Sequence, residues 1–213
     1  MNTDKRSGKP KMRFEIKSTA GGSLKVRHSR FISHIFAIAD DSQIKPTLKT
    51  LSTKYPDASH ICWAYILGLH GDRCYYSDAG EPPGSGGLQI LNLLKKEILT
   101  NVLCCVVRYF GGVKLGKKRL GETYFLAAKM AVDKTEKSAV EQKVLCKATL
   151  SYATFERIKS VEKVYKLEFI KLELGVMAQV VLKMPKKFLT KIKTIVCTGD
   201  NREKFELLDE TAD

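Results

Sequence analysis

The sequence lacks several features that would assign it to a familiar class of protein. It has six cysteines but no C-x-x-C pair and no tight Cys/His cluster with metal-ligand spacing. Its longest apolar runs, such as VLCCVV at 102–107, are far too short to span a bilayer. The first residues contain no apolar segment of the secretory-signal type. We therefore expect a soluble cytoplasmic protein with reduced, buried cysteines, no bound metal or cofactor and no membrane partner.

Negative charge is also scarce, and its shortage is uneven along the chain. The 213 residues include 37 Lys and Arg against 23 Asp and Glu, which gives a net charge of +14. Residues 1–138 carry 23 basic against 12 acidic residues, hence +11, whereas residues 139–213 carry 14 against 11, hence +3. A basic domain attracts polyanions such as nucleic acid, or the acidic face of another protein. Both classes of partner stay open on charge alone.

The pattern of apolar and turn-forming residues predicts a first domain of strands and helices over residues 13–138, preceded by a flexible basic arm at 1–12. We expect strands at 14–18 and 22–40 with a turn at 20–23, and a helix at 41–56. Further along, strands are expected at 60–68, 73–77 and 102–110, and helices from 88 and from 120. Cys104 and Cys105, adjacent in the last strand, should point to its opposite faces.

A change of composition near residues 134–142 marks the boundary of a second domain, predicted over residues 143–208. Its segments alternate in the order strand, helix, strand, strand, helix, strand. This βαββαβ order is that of a split βαβ, ferredoxin-like unit. The whole chain is therefore predicted to be of the α+β class.

The segment SDAGEPPGSGG at residues 77–87 precedes an apolar helix. A glycine-rich turn that opens a helix presents free N–H groups, so Gly84, Ser85 and Gly86 are candidates for anion binding, with Ser85 also expected as the N-cap. The segment has neither the Lys of a P-loop nor the G-x-S-x-G order of a nucleophile elbow. Asp78 and Glu81 are weak candidates for acid/base catalysis. Alternatively, both acids accept backbone N–H bonds and the loop is only a rigid connection.

The segment RYFGGVKLGKKRLGE at residues 108–122 is a second glycine-rich turn before a helix. It contains five candidates for binding nucleic acid or another anion: Arg108, Lys114, Lys117, Lys118 and Arg119. Cations at a helix start oppose the helix dipole, so phosphates are one reason for their presence. The residues predicted to shape the two turns are Gly80, Pro82, Tyr109, Phe110, Gly111, Gly112 and Gly116. Alternatively, the two aromatic residues belong to the core and the lysines form a solvated face.

A third cluster, SHICWAY at residues 59–65, places His60 and Cys62 on the same face of a strand. A Cys/His nucleophile pair is conceivable there, which makes His60 a weak catalytic candidate. The alternative is that His60 is a hydrogen-bonded structural residue.

These three segments together resemble the YigZ/IMPACT family, whose members carry stretches like D-D-G-E-P-S-G-T-A-G and R-Y-F-G-G-x-K-L-G. The resemblance covers roughly residues 14–135. It implies a first domain of the ribosomal-protein type found in domain four of elongation factor G, with a mixed sheet packed with helices. It further implies a second domain like domain five of that factor. It also implies a role around the ribosome, since the eukaryotic namesake is a translational regulator. The resemblance supplies no catalytic activity.

The sequence departs from the family pattern at several positions. Ala79 replaces the second acid of the first stretch, and Leu88 and Gln89 stand where a basic residue and a proline are usual. The basic triplet 117–119 fills a segment that is normally small and contains glycine. The lost acid weakens a mechanism that needs two carboxylates, whereas the added cations favour a polyanionic partner.

The favoured hypothesis is therefore a non-enzymatic, translation-associated protein that binds RNA or the ribosome through a basic face built on the two turns. One alternative is a protein-binding regulator that occupies an acidic partner and needs no nucleic acid. The other is an enzyme acting on a phosphorylated small molecule through Asp78, Glu81 and His60. That mechanism requires the three side chains to converge in one cleft.

Overall fold

The computed structural model of the chain describes residues 12–197 and 202–209. The chain divides into two compact units, Met1–Val140 and Glu141–Asp213. Apart from residue 12, the basic arm predicted for residues 1–12 lies outside the described residues. Within the described ranges, no helix combines the length and the apolar character needed to cross a membrane.

The first unit is built around a five-stranded sheet with the strand order β2-β3-β6-β4-β5. These strands are β2 (Ala20–Val26), β3 (Ser29–Ala37), β4 (His60–Leu67), β5 (Arg73–Ser77) and β6 (Val102–Tyr109). Three helices accompany the sheet: α1 (Ile44–Lys54), α2 (Gly87–Lys96) and α3 (Lys117–Val132). Two short strands, β1 (Phe14–Ile16) and β7 (Lys137–Ala139), pair separately with each other.

The α+β class is confirmed, but the sheet differs in one detail from the mixed sheet expected for this domain type. All four of its strand pairings are antiparallel. The reason is the position of β6, which lies between β3 and β4 and runs antiparallel to both. Strands β3 and β4 share a direction but are not neighbours, so they form no parallel ladder.

Strand β6 is the centre of the unit and is covered on both faces. Cys104 belongs to the core beneath α2 and α3, while Cys105 belongs to the core beneath α1. Both side chains are fully buried. The predicted opposite orientation of the two cysteines is therefore confirmed, and the continuous apolar run of this strand follows from its two-sided burial.

The turn predicted at residues 20–23 is wrong. Those residues lie inside β2, and the hairpin turns instead at Arg27 and His28, whose φ angles are 44° and 68°. The two glycines serve close packing instead of a turn. A Cβ atom on Gly22 would lie 2.7 Å from the Cβ of Met130 in α3, so glycine lets the helix approach the strand.

The second unit is a four-stranded antiparallel sheet with the order β11-β8-β10-β9. Its strands are β8 (Lys143–Leu150), β9 (Glu168–Leu174), β10 (Ala178–Pro185) and β11 (Lys204–Asp209). Its helices are α4 (Tyr152–Ser160), α5 (Glu162–Tyr165) and α6 (Leu189–Cys197). Apart from the single-turn α5, this is the predicted βαββαβ order, and it produces the ferredoxin-like arrangement.

Helix α2 begins in direct contact with the end of β5, which generates a first prediction. A Cβ atom on Gly87 would lie 2.3 Å from the carbonyl oxygen of Ser77. The substitution Gly87→Ala should therefore force a backbone shift and lower the free energy of unfolding by about 1–3 kcal/mol. Urea denaturation followed by the fluorescence of Trp63, the single tryptophan of the chain, measures this in the first unit.

The matched control for Gly87→Ala is Lys95→Ala, an exposed substitution in the same helix. It should change stability by less than about 0.5 kcal/mol. Equal stabilities of the two variants would contradict the close approach of α2 to β5.

Candidate functional site

The two glycine-rich segments lie beside each other at one end of the first unit. We call residues 77–87 the acidic turn and residues 108–119 the basic turn. Both contribute walls to a cleft of about 510 Å³. The acidic turn supplies Gly80, Glu81 and Pro82 to this cleft, and the basic turn supplies Arg108, Phe110 and the stretch from Lys114 to Lys117.

Asp78 shapes the acidic turn from within. Its two carboxylate oxygens accept hydrogen bonds from the backbone N–H groups of Gly84, at 2.8 Å, and Gly86, at 2.9 Å. The predicted structural role of an acid that accepts backbone bonds thus holds for Asp78. Because both N–H groups are engaged by this carboxylate, neither glycine offers its N–H to a ligand.

Ser85 does not cap helix α2, contrary to expectation. The N-cap is Gly86, and the hydroxyl of Ser85 donates a hydrogen bond to the carbonyl oxygen of Pro82 at 2.6 Å. Ser85 is also buried. The Ser85 side chain is therefore packed inside the turn, where its hydroxyl is not accessible to an anion from solvent.

Glu81 has a different role from Asp78, because its carboxylate is engaged by side chains. One of its oxygens, Oε1, accepts hydrogen bonds from Arg108 Nη1 at 2.6 Å and from the hydroxyl of Tyr124 at 2.8 Å. All three side chains are buried. A carboxylate removed from water needs such partners, so this network ties the acidic turn to β6 and to α3.

The guanidinium of Arg108 is packed between two aromatic rings. Its Cζ atom lies 5.4 Å from the ring centroid of Phe31 and 5.3 Å from that of Phe110. These are cation–π distances. Arg108 is thus a buried supporting residue, whereas Phe110 is 47% exposed and reaches the cleft.

His60 and Cys62 bind the acidic turn separately and do not form a nucleophile pair. The ring nitrogen Nδ1 of His60 lies 2.8 Å from the carbonyl oxygen of Ala79, and the Cys62 thiol donates to the carbonyl oxygen of Asp78 at 3.0 Å. Burial, as the main cause, raises the pKa of Cys62 to about 12. The thiol stays protonated at neutral pH and is not a nucleophile.

The three weak catalytic candidates converge only in part. His60 Nε2 lies 4.0 Å from Glu81 Oε2, so these two side chains face each other in the cleft. The carboxylate of Asp78 is already engaged by backbone N–H groups. Across residues 12–197 and 202–209, no three His, Cys, Asp or Glu side chains come close enough together to hold a metal ion.

The cations of the basic turn surround the start of α3. Lys114, Lys117, Lys118 and Arg119 are all exposed, and none forms an ion pair within the part of the chain that the structure describes. The N-cap of α3 is Gly116, at φ 78°, which supplies no side-chain acceptor. The first turn of this helix contains no acidic residue either. The positive end of the helix dipole and its free N–H groups therefore face cations instead of anions.

Two positions of the basic turn favour glycine for different physical reasons. A Cβ atom on Gly111 would lie 2.2 Å from the backbone carbon of His28, so this residue seats the turn against the β2–β3 hairpin. Gly112 adopts φ 82° in open space. Close approach requires the first glycine, and backbone conformation favours the second.

Two contributors to the site were missed from the sequence. Tyr124 was interpreted only as part of a helix, although a phenol on the buried face of α3 is a signal, because its hydroxyl needs a partner. Burial, followed by the neighbouring Cys62 and Glu81, raises the pKa of Tyr124 far above its usual value, so it acts as a donor. Phe31 carried no signal, because only the register of β3 against β6 places it opposite Arg108.

The buried network generates a second prediction. The substitution Glu81→Gln should leave the charge of Arg108 buried without compensation and lower the free energy of unfolding by about 3–5 kcal/mol. The exposed Glu122→Gln is the matched control and should be neutral. The double variant Glu81→Gln/Arg108→Met should lose less free energy of unfolding than the sum of the losses in the two single variants. Additive losses in denaturation measurements would contradict the pairing.

Comparison with known proteins places this site in a described family. A family model for the Impact N-terminal domain matches residues 27–132, a range that includes both turns and the helix that follows each of them. The IMPACT family member YvyE of Bacillus subtilis is 32% identical over 111 residues, which are 52% of this chain and 51% of that protein. An IMPACT family member of Haemophilus influenzae is 26% identical over 147 residues, 68% of this chain and 71% of the relative.

The first of these matches spans about half the length of the relative. Among solved structures, the crystal structure of a hypothetical protein has a TM-score of 0.70 at 18% identity and covers 93% of this chain and 98% of its own. At that identity the likeness concerns the fold. Together with the two turns, these matches show that the chain belongs to the YigZ/IMPACT family.

Proposed function

We propose that this chain is a translation-associated regulator that binds RNA or the ribosome through the basic turn. The observation that carries the proposal is the start of α3, whose N-cap residue is a glycine without a side chain to cap the helix. Three consecutive exposed cations, Lys117 to Arg119, follow this glycine. Family membership agrees with this role, since the resemblance implies an action around the ribosome.

The electrostatics of the basic turn explain why its partner should be an anion. Three cations in the first turn destabilise a helix, because they repel the positive end of its dipole. A bound phosphate reverses this effect, since it interacts favourably with the cations, the dipole and the free N–H groups together. Lys114 lines the same cleft as Lys117 and adds a fourth charge. Residues 1–138 carry a net charge of +11, which adds long-range attraction for a polyanion.

The acidic turn supports binding more than catalysis. Asp78 is committed to backbone N–H groups, and Glu81 is committed to Arg108 and Tyr124. Their chemistry stabilises the shape of the turn, and that turn forms one wall of the cleft beside the cations. We therefore propose a non-enzymatic function, with the acidic turn as the scaffold of the binding surface.

The proposal predicts a specific loss of affinity in the double variant Lys117→Ala/Lys118→Ala. Removing two phosphate contacts should weaken binding to RNA about equally for all sequences. It should also reduce the slope of log affinity against log salt by about 2. Filter binding with a mixed-sequence RNA, and co-sedimentation with ribosomes at low and high salt, measure these effects.

The matched control is Lys45→Ala/Lys49→Ala, which removes the same charge from exposed positions of α1 in the same unit. It should leave the slope nearly unchanged. If both double variants lost affinity equally, net charge and not the basic turn would be responsible. No binding of the unaltered protein to RNA or ribosomes at low salt would reject the proposal. A pull-down that still recovers an acidic protein after nuclease treatment would support the alternative of a protein-binding regulator.

A further inference from the structure

The cleft between the two turns contains more than the cations of the proposed phosphate site. Its floor holds the buried pair of Glu81 and Arg108, one wall holds His60, and the exposed ring of Phe110 stands at its side. Its volume of about 510 Å³ lies within the range of ligand-binding sites in proteins. These features are not needed for non-specific attraction of a polyanion, so they point to a ligand with a defined shape.

Arg108 shows that the polar floor is incomplete. Its side chain is 6% exposed and lines the cleft. One guanidinium nitrogen, Nη1, donates to Glu81, but the buried Nε has no hydrogen-bond partner within the described part of the chain. A buried donor without a partner is rare in native proteins. Because Arg108 lines the cleft, an acceptor that reached Nε with a small shift of this side chain would complete the network.

Two acceptors face each other in the same cleft. His60 Nδ1 contacts the carbonyl oxygen of Ala79, which can only accept, so this contact selects the tautomer that carries its proton on Nδ1. In that tautomer Nε2 is an acceptor. Nε2 lies 4.0 Å from Glu81 Oε2, which is also an acceptor and is not engaged by Arg108 or Tyr124. An amino group placed between these two atoms would donate one hydrogen to each.

Phe110 supplies an aromatic surface next to these polar atoms. The guanidinium of Arg108 lies on the ring, 5.3 Å from its centroid, yet the side chain remains 47% exposed. An exposed aromatic ring beside cations is the usual platform for an unpaired base. The start of α3, with Lys114 and Lys117, borders the same cleft and provides for a phosphate.

We propose that this cleft binds one unpaired nucleotide of single-stranded RNA whose base carries an exocyclic amino group. The base stacks on Phe110, its amino group donates to His60 Nε2 and Glu81 Oε2, and its phosphate lies at the start of α3. An acceptor atom of the same nucleotide faces Arg108 Nε. The inference rests on the proposed function and sharpens it, because it adds base selectivity to a site otherwise selective only for charge.

The matched pair rC8 and rU8 tests this selectivity, because cytosine and uracil differ chiefly by an amino group in place of a carbonyl. Fluorescence anisotropy at low salt should show roughly tenfold tighter binding of rC8, as expected for a paired hydrogen bond. His60→Phe should abolish the difference while the protein still binds both oligonucleotides. Trp63 fluorescence and circular dichroism establish that the variant is folded.

Stacking is tested with Phe110→Ala, which should weaken both oligonucleotides by roughly tenfold. Phe110→Tyr should retain their binding. The matched control Tyr75→Ala removes an aromatic ring that is 58% exposed on β5, outside this cleft, and should have no effect. Equal losses for Phe110→Ala and Tyr75→Ala, or no loss for Phe110→Ala, would overturn the stacking.

Equal binding of rC8 and rU8 by the unaltered protein would overturn the base selectivity. Binding of CMP as tight as that of rC8 would overturn the assignment to RNA in favour of a free nucleotide. The two proposals fail differently. If Lys117→Ala/Lys118→Ala weakens both oligonucleotides while the Phe110 and His60 variants behave like the unaltered protein, only this inference fails. If neither oligonucleotide binds, this inference fails, whereas the proposed function is rejected only if mixed-sequence RNA and ribosomes also fail to bind at low salt.

Discussion

The buried ion pair between Glu81 and Arg108 joins parts of the first unit that are distant in sequence. Glu81 comes from the acidic turn, Arg108 from the end of β6, and Tyr124 on α3 donates to the same carboxylate oxygen. A carboxylate and a guanidinium that lose their water need each other, so a displacement of either turn would leave an uncompensated buried charge. The two turns are therefore held together, and the cleft between them follows from that constraint.

The same constraint separates the charges of the site into two groups. The carboxylates of Asp78 and Glu81 accept hydrogen bonds inside the protein, Asp78 from backbone N–H groups and Glu81 from Arg108 and Tyr124. The cations from Lys114 to Arg119 remain exposed and form no ion pair in the described ranges. Of the two acids in this segment, Glu81 is buried and its charge is compensated by Arg108. This arrangement is the reason that we propose a binding role for the basic turn and not an enzymatic one.

The fold was largely predictable because its signals are local. The continuous apolar run of β6, the aromatic and branched residues of β4 and the helical period of α6 each depend on residues close in sequence. The errors arose where tertiary contacts overrode a local preference. Gly21 and Gly22 suggested a turn, but they lie in β2 because α3 packs against that strand. Ser85 suggested a cap, but its hydroxyl donates to Pro82 inside the turn.

By itself, the sequence determined the α+β class, the family, the two glycine-rich turns and the cluster of cations before α3. These depend on residue type and on spacing within a few turns of chain. Only the tertiary structure decided that Asp78 and Glu81 have different roles, that Cys62 is inert and that Phe110, Arg108 and His60 share one cleft. The physical reason is that burial and hydrogen-bond partners determine what an ionisable side chain does. Those partners come from strands and helices that the register of β3, β4 and β6 brings together.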